Sequence, residues 1–351
     1  MRLTLILLFI IMVNITSLSA QDEVVCDDGL RLVTHELLDE AICVPENPER
    51  IAVLGTLHPI ELMLLLDIEP VVRPSDRTLE ALYGGSPAVY NRISEMVADI
   101  PINDVAGFDL DTLIEAEPDL IILRGSGYLV EQLEEIAYVF RSPSERDGFG
   151  ASELDSLYAE VMDVSEDYEQ LRANYEERVQ VLLDNLEADV LGASMVYMQD
   201  ANDDYYITLP GFAGWDIFSD VGFVPVDTLP TTADDAFETY GYHTFQVTQE
   251  TLAALNVVDI IFMNSNIRPS GESEMSRAVI EKYETDSLLM SLEAVQNENL
   301  YPVSLYWQLS GLISAHLILD DMFMFFTDLN PQVVAPNPFL IDDTSSENTS
   351  D

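Results

Sequence analysis

A single lysine, Lys282, stands in the 351 residues, and the 14 basic side chains face 64 acidic ones, for a formal net charge of −50. Such a chain repels a phosphate backbone, and no basic stripe offsets the excess, so nucleic-acid binding is excluded. Histidine is almost as scarce. His35, His58, His243 and His316 form no pair at helical spacing and no convergent ligand set, so capture of a bare metal ion has no motif to rest on. The only cysteines are Cys26 and Cys43. With no second pair or neighbouring His to complete a metal site, they read as a structural disulfide if the chain meets an oxidising compartment. No Gly-x-Ser-x-Gly elbow is present, and both thiols sit in the amino-terminal region, so no nucleophile motif points to a hydrolase.

The longest apolar run near the start, residues 3–13, is too short for a membrane span. Preceded by Arg2 and followed by the small-residue stretch SLSA at 17–20, it has the layout of a secretory signal peptide. Residues 1–20 are therefore expected to be a cleaved leader and the mature chain to be extracytoplasmic, with an uncleaved signal anchor as the open alternative because Leu18 suits a cut after Ala20 poorly. Segments 30–34 and 40–44 then read as the arms of a hairpin closed by Cys26 and Cys43. At the other end, 342–351 (DDTSSENTSD) reads as a polar acidic tail.

Between these ends the chain carries an internal likeness. DTLIEAEPDLIIL at 111–123 and ETLAALNVVDIIF at 250–262 each read as an acidic residue opening a short helix, then a turn, an Asp and a buried strand. Two similar α/β lobes with mostly parallel sheets follow. Between them, 166–189 holds Leu171, Tyr175, Val179, Leu182 and Leu186 at near-helical spacing with no Gly or Pro. One helix of about 24 residues would span about 36 Å and bridge the lobes. The organisation expected is a leader at 1–20, a first lobe with its hairpin at 21–147, a helical linker at 148–189, a second lobe at 190–330 and a tail at 331–351. Within the lobes, 48–54 and 68–72 read as strands around a helix at 60–66, 120–123 and 194–198 as further strands, and 310–326 as a closing amphipathic helix. The sequence RGSG at 124–127 reads as a strand-to-helix turn, since it lacks the rest of a dinucleotide pattern.

An ordered set of motifs makes the reading specific: PERIAVL at 48–54, ELMLLLDIEPV at 61–71, DIP at 99–101 and EPDLII at 117–122. In order and spacing these resemble the periplasmic binding proteins that deliver iron-siderophores and cobalamin to ABC importers, over about residues 48–326. The resemblance implies two lobes facing across a ligand cleft, joined by a rigid helix, and a non-catalytic, monomeric protein with an importer permease as partner. No cofactor is expected, iron arriving only inside a bound chelate. It implies that Asp111 and Glu250 are the acidic residues, one on each lobe, that dock into arginine pockets of the permease, with Asp in the first lobe where the family usually has Glu.

Ligand contacts are expected where the strands end. Arg124 and Arg268 each follow a buried strand of their lobe and would supply positive charge to an anionic ferric chelate. Tyr205, Tyr206, Tyr306 and Trp307 would supply flat walls, and His58 lies in a turn facing the cleft. Readings that stay open are cobalamin, haem or a metal ion as cargo on the same fold, ion pairing with nearby acids for the arginines, helix capping for Asp111 and Glu250, and, from another class, a secreted hydrolase or adhesion module.

Overall fold

A computed structural model describes residues 24–103, 109–125, 130–143, 150–201, 204–210, 215–226, 229–232, 235–236, 238, 243–265, 281–309 and 311–341. The proposed leader, Arg268 and the 342–351 tail lie outside the described residues.

An antiparallel hairpin opens the fold, β1 (Leu30–Val33) on β2 (Ile42–Pro45), with Leu32 opposite Cys43. Cys26 and Cys43 are joined as a disulfide, their Cα atoms 5.5 Å apart. Arg31 anchors this hairpin by donating from Nη2 to the carbonyls of Glu160 and Val161 at the end of the helix Ala151–Met162. A cation on those last carbonyls complements the negative end of the helix dipole.

The first lobe is built on a parallel sheet in the order β3 (Ile51–Leu54), β4 (Leu120–Leu123), β5 (Tyr138–Arg141). Every residue of β3 and β4 is buried, as strands covered by helices on both faces must be. Among the described residues the second lobe holds six strands: β6 (Ser194–Ala201), β7 (Asp204–Thr208), β8 (Val224–Pro225), β9 (Thr244–Gln246), β10 (Ile260–Ser265) and β11 (Leu300–Val303). Their order is β11-β10-β6-β7-β9 with β8 also on β6, and all pairings are parallel except the two made by β7.

The internal likeness has a structural counterpart. The helix Leu110–Glu115 leads into β4, and the helix Gln249–Leu255 leads into β10. The shared Asp before each strand does the same work in both lobes. Asp119 accepts from the backbone N–H of Glu49 and Arg50, and Asp259 accepts from the backbone N–H and hydroxyl of Ser194. Each carboxylate thus pins the start of its strand to the start of the neighbouring one.

Two local expectations are corrected. Residues 68–72 form no strand: Pro70 has no N–H to give a ladder, and the segment meets β3 through the Val71 N–H, which donates to the Ile51 carbonyl at 2.9 Å. The bridging helix runs Ser165–Leu183, 19 residues and so about 28 Å. It is separated from the helix Ala151–Met162 by Asp163, whose φ of 64° ends that helix in the left-handed region.

The bridging helix is riveted to the closing helix Leu312–Phe326 by a buried polar cluster. Arg178 donates from Nη2 to Asp320, from Nη1 to His316 Nδ1 at 2.9 Å, and from Nε to the Ala335 carbonyl at 2.9 Å. Asp320 also accepts from Gln332 and Asn337 on the segment that follows. Burial, with the neighbouring Arg178 charge, holds the His316 imidazole well below the ordinary histidine range, so it stays neutral. The unfolded chain takes up a proton near pH 6.5 while the folded one does not. Stability from this group is therefore full above about pH 6.5 and is lost as pH falls, by up to about 1.4 kcal/mol per pH unit. Urea unfolding at pH 7.5 and 5.5 is expected to show that loss, and His316→Gln to flatten it relative to the parent.

Candidate functional site

In parallel α/β sheets, ligands gather beyond the carboxyl ends of the strands. In the first lobe that edge is made by Gly55 after β3, Arg124 after β4 and Ser142 after β5. It is held by backbone bonds from Arg124 to Leu54 and from Ser142 to Leu123 at 3.0 and 2.9 Å. Gly55 has φ +77°, and a Cβ there would overlap the Arg124 carbonyl, so the turn out of β3 needs glycine on both counts. In the second lobe the edge is made by Ala201, Ser265 and Ser304. Asn264, buried near it, donates to the Tyr197 hydroxyl and the Ser304 carbonyl at 2.8 and 3.0 Å. The lobes meet directly at this level, because a Cβ on Gly85 would run into the Ser304 side chain. Segments 126–129, 144–149 and 266–280, which follow β4, β5 and β10, are outside the described residues, and Arg268 with them.

Two cations that the sequence reading passed over lie at these edges. Arg141 is the last residue of β5, in register with Leu123 next to Arg124, and it is exposed with no ion-pair partner among the described residues. Lys282, the chain's one lysine, ion-pairs with Asp200, the buried penultimate residue of β6, which Tyr283 also contacts through its hydroxyl. The signal that could have found them is scarcity. In so acidic a chain, each cation at a strand end is an exception to the composition.

The other expected ligand residues divide sharply. Arg124 is half-buried at the first-lobe edge, and Tyr206 is half-buried on β7 opposite Gln199 and Gln246. His58 is 4% exposed, its Nε2 2.8 Å from Asp155 Oδ1 and its ring edge-on against Tyr158, so it joins its helix to Ala151–Met162. Tyr306 and Trp307 are corrected as walls. Both are buried and donate to the same Asp321 oxygen at 2.7 Å, and Trp307 packs against Phe262 at 4.8 Å between ring centres. Burial and the Asp321 charge push the Tyr306 hydroxyl well above its ordinary range, so it remains a donor. Tyr205 is also buried, its hydroxyl on Asp286 at 2.8 Å. An aromatic side chain next to a strand end can be drawn inward as readily as outward, and sequence spacing does not distinguish the two. Among the described residues no group of three His, Cys, Asp or Glu could hold a metal ion, and no helix is long and apolar enough to cross a membrane.

Asp111 and Glu250 occupy the same place in the repeated helix-strand units of the two lobes. The helix caps are Asp109, which accepts from the Asp111 N–H and the Thr112 hydroxyl, and Thr248, which accepts from the Thr251 N–H. Asp111 and Glu250 are each the second residue of their helix, and neither is its N-cap. The Thr112 hydrogen bond, together with the Asp111 N–H, holds the Asp109 carboxyl below the usual carboxylate range, as a working cap requires. Asp111 is exposed.

No protein-family model matches the chain, and no curated protein does. Solved structures do. Staphylococcus aureus SirA complexed with staphyloferrin B superposes at a TM-score of 0.63 with 16% identity, covering 84% of this chain and 97% of that one. Streptococcus pneumoniae PiaA in complex with ferrichrome gives 0.59 and 17%, over 90% and 95%. The periplasmic catecholate-siderophore binding protein VctP from Vibrio cholerae gives 0.60 and 14%, over 84% and 99%. The paired α/β lobes and the helices between them are therefore the fold of these binding proteins, shared over nearly their whole length.

Proposed function

We propose that this chain is an extracytoplasmic substrate-binding protein that captures an iron-siderophore and delivers it to an ABC importer, without catalysis. The observation that carries the reading is the fold, shared almost end to end with three proteins whose names specify siderophores or their binding. The arrangement of charge supports it. Arg124, Arg141 and Lys282 at the strand ends offer local positive groups in a chain whose overall field repels anions, and such groups act strongly where a ligand excludes water. Arg268 would belong to the same set. Asp111 and Glu250, at matching positions on the two lobes and relieved of capping, suit arginine pockets on a permease, where two separated carboxylate contacts fix orientation.

Fluorescence titration of the exported protein with ferric staphyloferrin B and with ferrichrome tests the reading. An anionic polycarboxylate chelate is expected to bind more tightly than the neutral hydroxamate. Arg141→Gln and Lys282→Met are each expected to weaken the former by about 1 to 3 kcal/mol and to leave the latter unchanged. Absence of binding to any ferric chelate would sink the proposal, and preference for the neutral one would sink its anionic part.

A further inference from the structure

Two long helices of this chain begin at a glycine, Ala151–Met162 at Gly150 and Leu312–Phe326 at Gly311. Glycine brings no side chain to satisfy the free N–H groups of a first turn. Its conformational freedom is not needed at either place, since φ is −73° and −75°, values any residue adopts. What is needed is space. A Cβ on Gly311 would lie 2.5 Å from Glu61 Oε2, and a Cβ on Gly150 would overlap Asp216 Oδ2.

Both carboxylates come from the opposite lobe. Glu61 belongs to the helix His58–Leu65, which follows β3 of the first sheet, and the helix it caps follows β11 of the second. It is 1% exposed and accepts from the Ser314 N–H at 2.8 Å, the Ser314 hydroxyl at 2.6 Å and the Tyr83 hydroxyl at 2.6 Å. Asp216 belongs to the helix Trp215–Asp220 of the second lobe and accepts from the backbone of Ala151 and Ser152, at the start of the helix that follows β5 of the first. The Gly150 N–H is taken by Glu153 at 2.9 Å. Burial raises the pKa of both Glu61 and Asp216, as expected for carboxyls taken out of water.

A Ser or Asp at 150 and 311 would cap each helix locally and stabilise it as well. Importing the cap instead makes the first turn of a helix in each lobe depend on where the other lobe sits. We propose that Glu61 and Asp216 are a reciprocal pair of caps across the cleft floor, positioning residues that set the spacing of the two lobes. That this spacing governs the grip on a ligand rests on the binding function proposed above. The mutual dependence gives two discrete arrangements, capped and uncapped, and among the described residues no strand pairing joins the two sheets to hold the spacing in their place.

Spin labels on cysteines at Ile114 and Val257, 54% and 58% exposed and one on each lobe, report the spacing in the full chain with its native disulfide. Glu61→Gln, Asp216→Asn, Gly150→Ala and Gly311→Ala are each expected to shift the distance distribution to longer values and broaden it. Leu319→Ala, a cavity in the closing helix away from its capped end, is expected to lower thermal stability and leave the distance alone. If the four cap variants lose stability as the control does with the parent distance retained, or if the control shifts equally, the caps are local struts and the proposal is overturned. The labels need no ligand, so a parent that binds no ferric chelate would refute the binding function and leave this distance result to decide the caps.

Discussion

Replacing Arg178 by Met is expected to cost about 3 to 5 kcal/mol of folding stability, measured by urea unfolding at pH 7.5. The size follows from what is left behind. Asp320 is buried with Arg178 as its charge partner, and removing the guanidinium strands a carboxylate in a low-dielectric interior. Three further acceptors, His316 Nδ1 and the carbonyls of His316 and Ala335, lose this donor in the same step. Burial pulls the Arg178 pKa down and lifts that of Asp320, against the mutual attraction of the pair. The double change Arg178→Met with Asp320→Leu is accordingly expected to recover much of the loss, because an apolar pair needs no partner. A single variant as stable as the parent would refute this account of the rivet.

Reversing both proposed docking charges, Asp111→Arg with Glu250→Arg, is expected to lower uptake by about a hundredfold or more, while ligand affinity changes by no more than about threefold. Two carboxylates that each meet an arginine in a desolvated pocket contribute mainly through the penalty of leaving that arginine unmatched, and reversal adds repulsion to that penalty. Asp111 and Glu250 hold matching positions, each the second residue of the helix before the buried strand of its lobe, and neither is among the strand-end cations expected to meet ligand. Uptake of a labelled ferric chelate by cells bearing the chain and its importer, set beside titration of the purified variant, checks both halves. Equal loss of ligand binding would place these residues in the cleft instead, and unimpaired uptake would remove them from docking.

The lobes, the disulfide hairpin and the order of the main elements were legible in the sequence because each rests on a local signal. The two repeated helix-strand units carry an Asp at a fixed place before an apolar run, and Asp119 and Asp259 use it identically. The closing helix carries a long apolar face, and Leu32 sits opposite Cys43 in a hairpin whose arms are visible as strand-like runs. Segment 68–72 misled because its apolar composition is strand-like, while Pro70 in its middle has no N–H to give a ladder.

Side-chain destinations were not legible. Nothing in the neighbourhood of His58, Tyr306 or Trp307 reveals that Asp155 and Asp321 wait for them at a distance of 2.7 to 2.8 Å, because those acids arrive from other helices. By itself the sequence determined the two-lobe architecture, the scarcity of positive charge and the places where a cation would be exceptional, since pattern and composition are properties of the chain. Only the tertiary structure decided which polar groups are consumed in the interior and which remain at the strand ends. Glu61 reaching Ser314 and Arg178 reaching Asp320 are partnerships between residues 253 and 142 positions apart. The free energy of each depends on burial and alignment that exist only once the lobes have packed.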